Sequence, residues 1–292
     1  MVAKAPFPAG GPYAPAPYVL SALAPYTAGT LLAVVSGFPM RPGVFILGLV
    51  GVAALVTAAF AARELFAPAL GRGPSWQVPA DARGLALICL CVAAAAGLLL
   101  QIVWRTGDLT IPLGGLGALG GYFYFAPPLQ LGRRGLGEAA GAWCFGLLPV
   151  AAGLYLQCGH LLTEVLLYGL PLSFAGFNLF LIYGFPGPAD QGAAPERFSL
   201  ASRLGPLAGA LLYTIFNVLT ILGLLAILLF PAPALPWRLG LWPLLFLAVV
   251  NQELIKRKSY LEEAGLRRLC RLSLALHLGM GLVFVLMLWQ RV

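Results

Sequence analysis

The sequence predicts an all-α, polytopic membrane bundle, and three observations carry that prediction. Of 292 residues, 60% are apolar and only 10% are charged, against about 25% charged in soluble domains. The mean hydropathy is +0.90, and the apolar residues fall in runs of roughly 20, the length that crosses a hydrocarbon core of about 30 Å. The basic residues also sort strongly to one side of those runs. With 18 Lys and Arg and 10 Asp and Glu, the chain has too few charges to solvate a soluble globule of this size or to stay disordered. A soluble enzyme and a nucleic-acid binder are thereby excluded, although the net charge is +8.

Residues 1–17 are rich in Pro, Ala and Gly with a single Lys, so they cannot supply a helix interior and read as a cytoplasmic arm. They lack the continuous apolar core of a signal peptide, and the first run is long enough to remain as an anchor. Residues 18–292 then form one membrane domain of about nine spans: 18–38, 43–62, 84–104, 109–126, 139–158, 165–185, 207–230, 239–254 and 272–290. Seven are strong. The fourth is glycine-rich (LTIPLGGLGALGGYFYFA), and the eighth is short and ends in Asn251, Gln252 and Glu253, so each also reads as a re-entrant or interfacial piece.

Charge separates these alternatives. With nine spans, Lys4, Arg63, Arg72, Arg83, Arg133, Arg134, Arg197, Arg203, Lys256, Arg257, Lys258, Arg267, Arg268 and Arg271 share one side, 14 in all, against Arg41, Arg105, Arg238 and Arg291 on the other. Removing the eighth span levels the split at 9 to 9, and removing the fourth reverses it to 6 against 12. The positive-inside rule therefore favours nine spans with a cytoplasmic N-terminus and the C-terminus opposite, as in a bacterial inner membrane. The basic face serves either orientation and anionic lipid or an anionic substrate.

Cys89, Cys91, Cys144, Cys158 and Cys270 have no partners at zinc spacing and read as small packing residues. His160 and His277 are isolated; a lone intramembrane His277 reads as a hydrogen bond to a neighbouring helix, so no haem or metal is assigned to it. Asn178 and Asn217 lie inside spans, where an amide faces another helix or a cavity. The ten acids sit almost entirely at span ends or in loops, which argues against an ion-driven transporter.

Two stretches carry a resemblance. Residues 120–159, GGYFYFAPPLQLGRRGLGEAAGAWCFGLLPVAAGLYLQCG, and residues 171–205, PLSFAGFNLFLIYGFPGPADQGAAPERFSLASRLG, resemble the UbiA superfamily of intramembrane prenyltransferases. The branch they are most similar to prenylates dihydroxynaphthoate in menaquinone synthesis. That branch has a GYxYxxPPLRL-like turn, then RGLGE and a GxLPV-like helix, and later a loop reading approximately NEFPDxxxDxxxGKRTLxxRLG. Phe185, Pro186, Arg197, Leu200, Arg203, Leu204 and Gly205 have counterparts there. The resemblance implies a nine-helix fold with motif loops after spans two, four and six.

It also implies a chemistry, ionisation of an allylic diphosphate with Mg2+ held by carboxylates of two Asp-rich motifs. Here the first motif region reads AAFAARELFAPALGRGPSW, with Glu64 its only carboxylate. In the second, Gly187 stands at the leading Asp, one extra residue is present, Asp190 is the candidate for the second Asp, and Pro195 and Glu196 replace a Gly-Lys pair. Gln130 stands where an Arg is expected. The residual catalytic candidates are Glu64 and Asp190, and no metal ligand set is assigned; Mg2+ is expected only of an enzyme.

Candidate contacts for a diphosphate or other substrate are Arg63, Arg133, Arg134, Arg197, Arg203, Tyr122, Tyr124 and Asn178. The arginines serve orientation equally well, the acids read also as solvated loop residues, and the two tyrosines as an interfacial belt. The resulting expectation is a UbiA-like protein that has lost metal-dependent prenyl transfer and binds a lipid, quinone or pigment tail, with membrane lipids, isoprenoid tails and other membrane subunits as partners and no nucleic acid. The alternative is an active, divergent prenyltransferase with an aromatic acceptor.

Overall fold

Inside a bilayer a backbone has no water to bond, so each apolar run satisfies its own amides and carbonyls as a helix. The computed structural model describes residues 16–66, 80–186, 199–230 and 239–292, and among them there is no strand. The helices are α1 (Ala16–Val35), α2 (Pro42–Phe66), α3 (Ala80–Leu98), α4 (Thr110–Gly121), α5 (Gly137–Ala142), α6 (Leu148–Cys158), α7 (Glu164–Tyr183), α8 (Leu200–Leu204), α9 (Pro206–Leu229), α10 (Leu241–Lys256) and α11 (Glu263–Trp289). A π-turn, Leu99–Val103, extends α3, and a second, Trp143–Leu147, joins α5 to α6 as one continuous pass. The expected arm lies almost wholly in residues 1–15, outside the described residues.

Seven passes among the described residues are long and apolar enough to cross a membrane. The two exceptions are the fourth and eighth runs. At 12 and 16 residues, α4 and α10 rise only about 18 and 24 Å, short of a core of about 30 Å. The last helix begins at Glu263, nine residues before the apolar run, because Glu263 to Arg271 form a polar helical extension at the basic end. Likewise α2 runs on to Phe66, so Arg63 and Glu64 sit on its last turn rather than in a loop.

Packing closes the helices into a ring. α1 lies against α2, α6 and α11, so the first and last described helices meet, while α2 packs on α3, α7 on α5, α9 and α11, and α10 on α9 and α11. The α1–α6 crossing is backbone to backbone. A Cβ on Gly29 would run into the Val150 carbonyl and one on Gly153 into the Tyr26 carbonyl, the small-residue packing that replaces hydrophobic drive between helices in lipid. Thr30 Oγ1 donates to the Gly153 carbonyl across this contact at 3.3 Å. Leu31, Val150, Leu154, Leu172, Leu224 and Phe284 fill the adjoining core.

Two polar side chains inside the bundle, Asn217 and His277, bond to neighbouring helices, whereas the buried amides of Asn178 and Asn251 have no hydrogen-bond partner among the described residues. Asn217 donates to the Ala248 carbonyl at 2.9 Å and to Gln252 Oε1 at 3.1 Å, and Gln252 donates to Thr214 Oγ1 at 3.0 Å. His277 is fully buried and donates from Nε2 to the Phe145 carbonyl at 3.0 Å. Both are the helix-to-helix role. The ring contacts Tyr18 to Phe60 (5.0 Å) and Tyr18 to Tyr183 (6.3 Å) tie the start of α1 to the ends of α2 and α7. These ends, with the 125–136 turn, make up one face of the bundle, the basic one.

Candidate functional site

At the basic face the chain leaves α4 through a 3-10 turn, Tyr122–Tyr124, and a compact turn that returns to α5. The turn is closed by its own backbone: Leu131 and Gly132 donate to the Phe123 and Tyr124 carbonyls, both at 3.1 Å. Tyr124 lies beneath it. A Cβ on Gly132 or Gly137 would meet the Tyr124 ring at 2.8 Å, and the ring's other side faces Phe180 of α7 at 5.9 Å. Tyr124 is therefore a half-buried support of the turn, whereas Tyr122 packs edge-on against Phe123.

Three of the candidate arginines belong to this turn and its neighbour. Arg133 donates to Gln130 Oε1 at 3.2 Å, and Arg134 donates to the Pro128 carbonyl at 3.1 Å. Arg203, on the last turn of α8, donates to the Arg133 carbonyl and lays its side chain 3.5 Å from where a Cβ on Gly135 would sit. The turn is thus bolted to the segment after α7, with Gly135 (φ +76°) in the left-handed region that lets the chain reverse beneath Arg203.

A buried carboxylate makes the second bolt. Glu138 is 2% exposed, and its Oε1 accepts the Leu200 amide at 2.8 Å. Ser199 caps the same short helix: its Oγ accepts the Ser202 amide at 3.1 Å and donates to the Gly184 carbonyl at 2.6 Å. That last bond joins the end of α7 to the start of α8 across a 15-residue separation. Sequence reasoning assigned no role to Glu138 or Ser199. Glu138 stood inside the quoted RGLGE motif as framework, and a serine three residues before another at a helix start was the capping signal available for Ser199.

The remaining candidates divide. Arg63 is half-buried and Glu64 exposed on the last turn of α2. Asn178 is 3% exposed, about a turn and a half below the end of α7, and is not one of the cavity-lining residues described next. Asp190 and Arg197 lie outside the described residues. Among the described residues no three His, Cys, Asp or Glu side chains converge. Glu64 is the one carboxylate there at the α2 end, and Glu138 is turned to Leu200, so the described residues do not compose a magnesium set of the kind the motifs imply.

Below this face an apolar slot of about 130 Å³ runs between α1, α2, α3, α4 and the α5–α6 pass. Its walls are small: Gly48, Gly51, Ala59, Ala93, Ala96, Gly97, Gly114, Gly117 and Gly121, with Leu55, Phe145 and Leu148 between them. Tyr26 stands at the end remote from the basic face, its hydroxyl donating to the Phe45 carbonyl at 3.3 Å. At the near end Ala59 lines the slot, and Arg63 sits four residues on, one turn closer to the basic face on the same side of α2. Gly121 lines the slot and leads directly into Tyr122. A lipid chain in the slot would place its head among Arg63, Tyr122 and the arginine-bearing turn.

Comparison with known proteins bears on this arrangement. No family model matches the chain. Over 156 residues it is 31% identical to the 2-carboxy-1,4-naphthoquinone phytyltransferase of Synechocystis sp., a match covering 49% of this chain and 50% of that protein; the chain spans about half the length of the curated relative it matches. Its fold is similar to the apo structure of a UbiA homologue from Aeropyrum pernix K1, with a TM-score of 0.67 at 15% identity over 92% of this chain and 97% of that one. It is also similar to a UbiA homologue from Archaeoglobus fulgidus bound to GPP and Mg2+, with a TM-score of 0.58 at 14% identity over 92% and 96% of the two chains.

Proposed function

We propose that this chain is a member of the UbiA superfamily, a reading supported by the phytyltransferase match over half its length and by the fold it shares with two UbiA homologues, and that it is a membrane lipid-binding homologue without metal-dependent prenyl transfer. It takes an isoprenoid or quinone-type tail in the slot and an anionic or polar head at the basic face. The observation that carries this reading is the slot's near end, where Ala59 stands one turn below Arg63 and Gly121 adjoins Tyr122. Head contacts are proposed for Arg63, Arg133, Arg134, Arg197, Arg203, Tyr122 and Tyr124, with Asn178 a deeper polar contact. Loss of transfer is inferred from the sequence at the two motif regions, where Glu64 and Asp190 are the residual carboxylates.

The topology proposed with it is nine passes with the N-terminus cytoplasmic in a bacterial inner membrane, in which α4 and α10 complete the ring as short passes. Reporter fusions after Phe66 and after Lys256 on the same side, opposite one after Leu229, would bear that out. A role as a subunit of a larger assembly is part of the same reading, and a chain that migrates alone in mild detergent counts against it.

A second reading, an active divergent prenyltransferase, draws on the phytyltransferase match and on the relative solved with GPP and Mg2+. One experiment separates the two. Purified protein is incubated with Mg2+, geranylgeranyl diphosphate and a dihydroxynaphthoate acceptor, and both bound lipid and prenylated product are measured. Retained diphosphate or prenol without product supports the binding reading. Product formation that disappears in the Glu64→Gln plus Asp190→Asn variant overturns it.

A further inference from the structure

The α5–α6 pass carries a proline, Pro149, in the middle of its membrane length. Proline has no N–H, and its ring collides with the carbonyl four residues earlier. Here that carbonyl is Phe145's, which an ordinary helix would leave without a donor. The chain avoids the clash by taking one π-turn, in which the Leu148 amide reaches back to the Trp143 carbonyl. That substitution displaces a second group, because the Trp143 carbonyl would otherwise serve the Leu147 amide. The Phe145 carbonyl therefore lacks the donor that a non-proline residue 149 would supply, and the Leu147 amide is released from its usual acceptor four residues back.

Both are satisfied from neighbouring helices. Ser173 Oγ on α7 accepts the Leu147 amide at 2.9 Å, and His277 Nε2 on α11 donates to the Phe145 carbonyl at 3.0 Å. Close approach makes this reach feasible: a Cβ on Gly146 would collide with the Ser173 backbone, and one on Gly176 would stand 3.4 Å from Ala142 Cα. The same π-turn forms one wall of the apolar slot, with Cys144 and Phe145 contributed by the turn and Leu148, Pro149 and Ala152 by the helix that follows.

We infer that Ser173 and His277, neither of which lines the slot, are positioning residues for it: they pin the π-turn to α7 and α11 and so fix where Cys144 and Phe145 stand in the wall that selects a lipid chain. The selection rests on the lipid-binding reading above; the pinning of the wall does not. A helix that lost these two bonds would bury an orphan carbonyl or amide, and because Pro149 forbids an ordinary α-turn here, the strain is relieved only by a movement of the turn away from α7 and α11. Such a movement carries Cys144 and Phe145, which belong to the turn, away from their places in the slot wall. Pro149 is thus the local cause, and the two distant side chains set the consequence.

The test uses full-length protein in nanodiscs with Cys144 as the sole cysteine, in the parent and in His277→Leu, His277→Gln, Ser173→Ala and Ser173→Thr backgrounds. Alkylation of Cys144 by N-ethylmaleimide is expected to change about tenfold in His277→Leu and Ser173→Ala, and to stay near the parent rate in His277→Gln and Ser173→Thr, which keep a donor and an acceptor. In the same proteins the ratio of retained geranyl, farnesyl and geranylgeranyl diphosphate is expected to move with the alkylation rate, about tenfold in affinity ratio or roughly 1.4 kcal/mol. Ser173→Ala serves where His277→Leu does not fold. Unchanged Cys144 alkylation in the folded apolar variants overturns the inference, as does an altered rate with an unaltered tail ratio. A parent that retains no isoprenyl diphosphate sinks the lipid-binding reading instead, and the Cys144 rates then decide the pinning alone.

Discussion

Glu138 and Leu200 are 62 residues apart in the chain, and the carboxylate of the first accepts the backbone amide of the second at 2.8 Å. The bond joins the start of the α5–α6 pass to the first residue of α8, and Arg203 lies near enough to act on the same carboxylate. Glu138→Ala strips a buried amide of its acceptor, which costs about 1–3 kcal/mol. Glu138→Gln keeps an acceptor oxygen and loses only the charge facing Arg203. Melting of the detergent-solubilised protein is expected to fall clearly for Ala and much less for Gln. Equal losses in the two variants would mean that charge, and not the amide bond, is what Glu138 supplies.

The α1–α6 crossing yields a prediction about assembly. A methyl on Gly153 would strike the Tyr26 carbonyl, while one on Gly114 meets nothing within 4 Å. Gly153→Ala is expected to separate the two helices, breaking the Thr30 to Gly153 bond and costing about 3 kcal/mol or more, in the range of severe overpacking. Gly114→Ala replaces a flexible residue within a helix and is expected to stabilise by up to about 1 kcal/mol. Fluorescence-detected size exclusion after heating distinguishes them. A Gly153→Ala protein as heat-stable as the parent would contradict the close crossing.

Hydropathy made the passes legible because lipid imposes one condition on every residue in a run. The run 165–185 became Glu164–Tyr183, and 43–62 became the body of Pro42–Phe66. The same signal is blind where water replaces lipid, so the last helix was read from residue 272 although Glu263 begins it. It is blind as well to hydrogen-bond accounting: Pro149 was visible, but its remedy depends on Ser173 and His277 from other helices. The basic face was legible as charge. What the charges do to one another was not, since Arg203 meets the Arg133 carbonyl and Glu138 meets Leu200 only after the chain has folded back.

Arg63 and Arg134 give the electrostatic prediction. Both lie at the basic face, Arg63 one turn above the slot and Arg134 exposed on the turn beyond Pro128. If they receive an anionic head, Arg63→Gln and Arg134→Gln each remove a charge-assisted contact of about 1.5–3 kcal/mol, or roughly tenfold to a hundredfold in affinity for geranylgeranyl diphosphate. Binding to the parent should weaken as salt rises, and less steeply in each variant, because screening acts on exposed charges. Equal affinity of all three proteins for geranylgeraniol, which carries no phosphate, is the accompanying control. Parent-like diphosphate binding in both variants would remove these arginines from the head site.

The slot itself is tested by filling it where nothing else is disturbed. Gly114 lines the cavity at an exposed position, and a Cβ there meets nothing within 4 Å, so a larger side chain is accommodated at the rim of the slot without striking backbone. Gly114→Leu introduces a four-carbon side chain at a cavity of about 130 Å³. Leucine is also the better helix former, by roughly 0.8 kcal/mol. The variant is therefore expected to fold and melt at or above the parent temperature while its retention of geranylgeranyl diphosphate falls at least about tenfold; geranyl diphosphate, with its shorter tail, should lose less. Melting and retention are read on the same preparation, so loss of binding through unfolding shows itself directly. Full retention in a stable Gly114→Leu protein would place the tail somewhere other than between α2, α3 and α4.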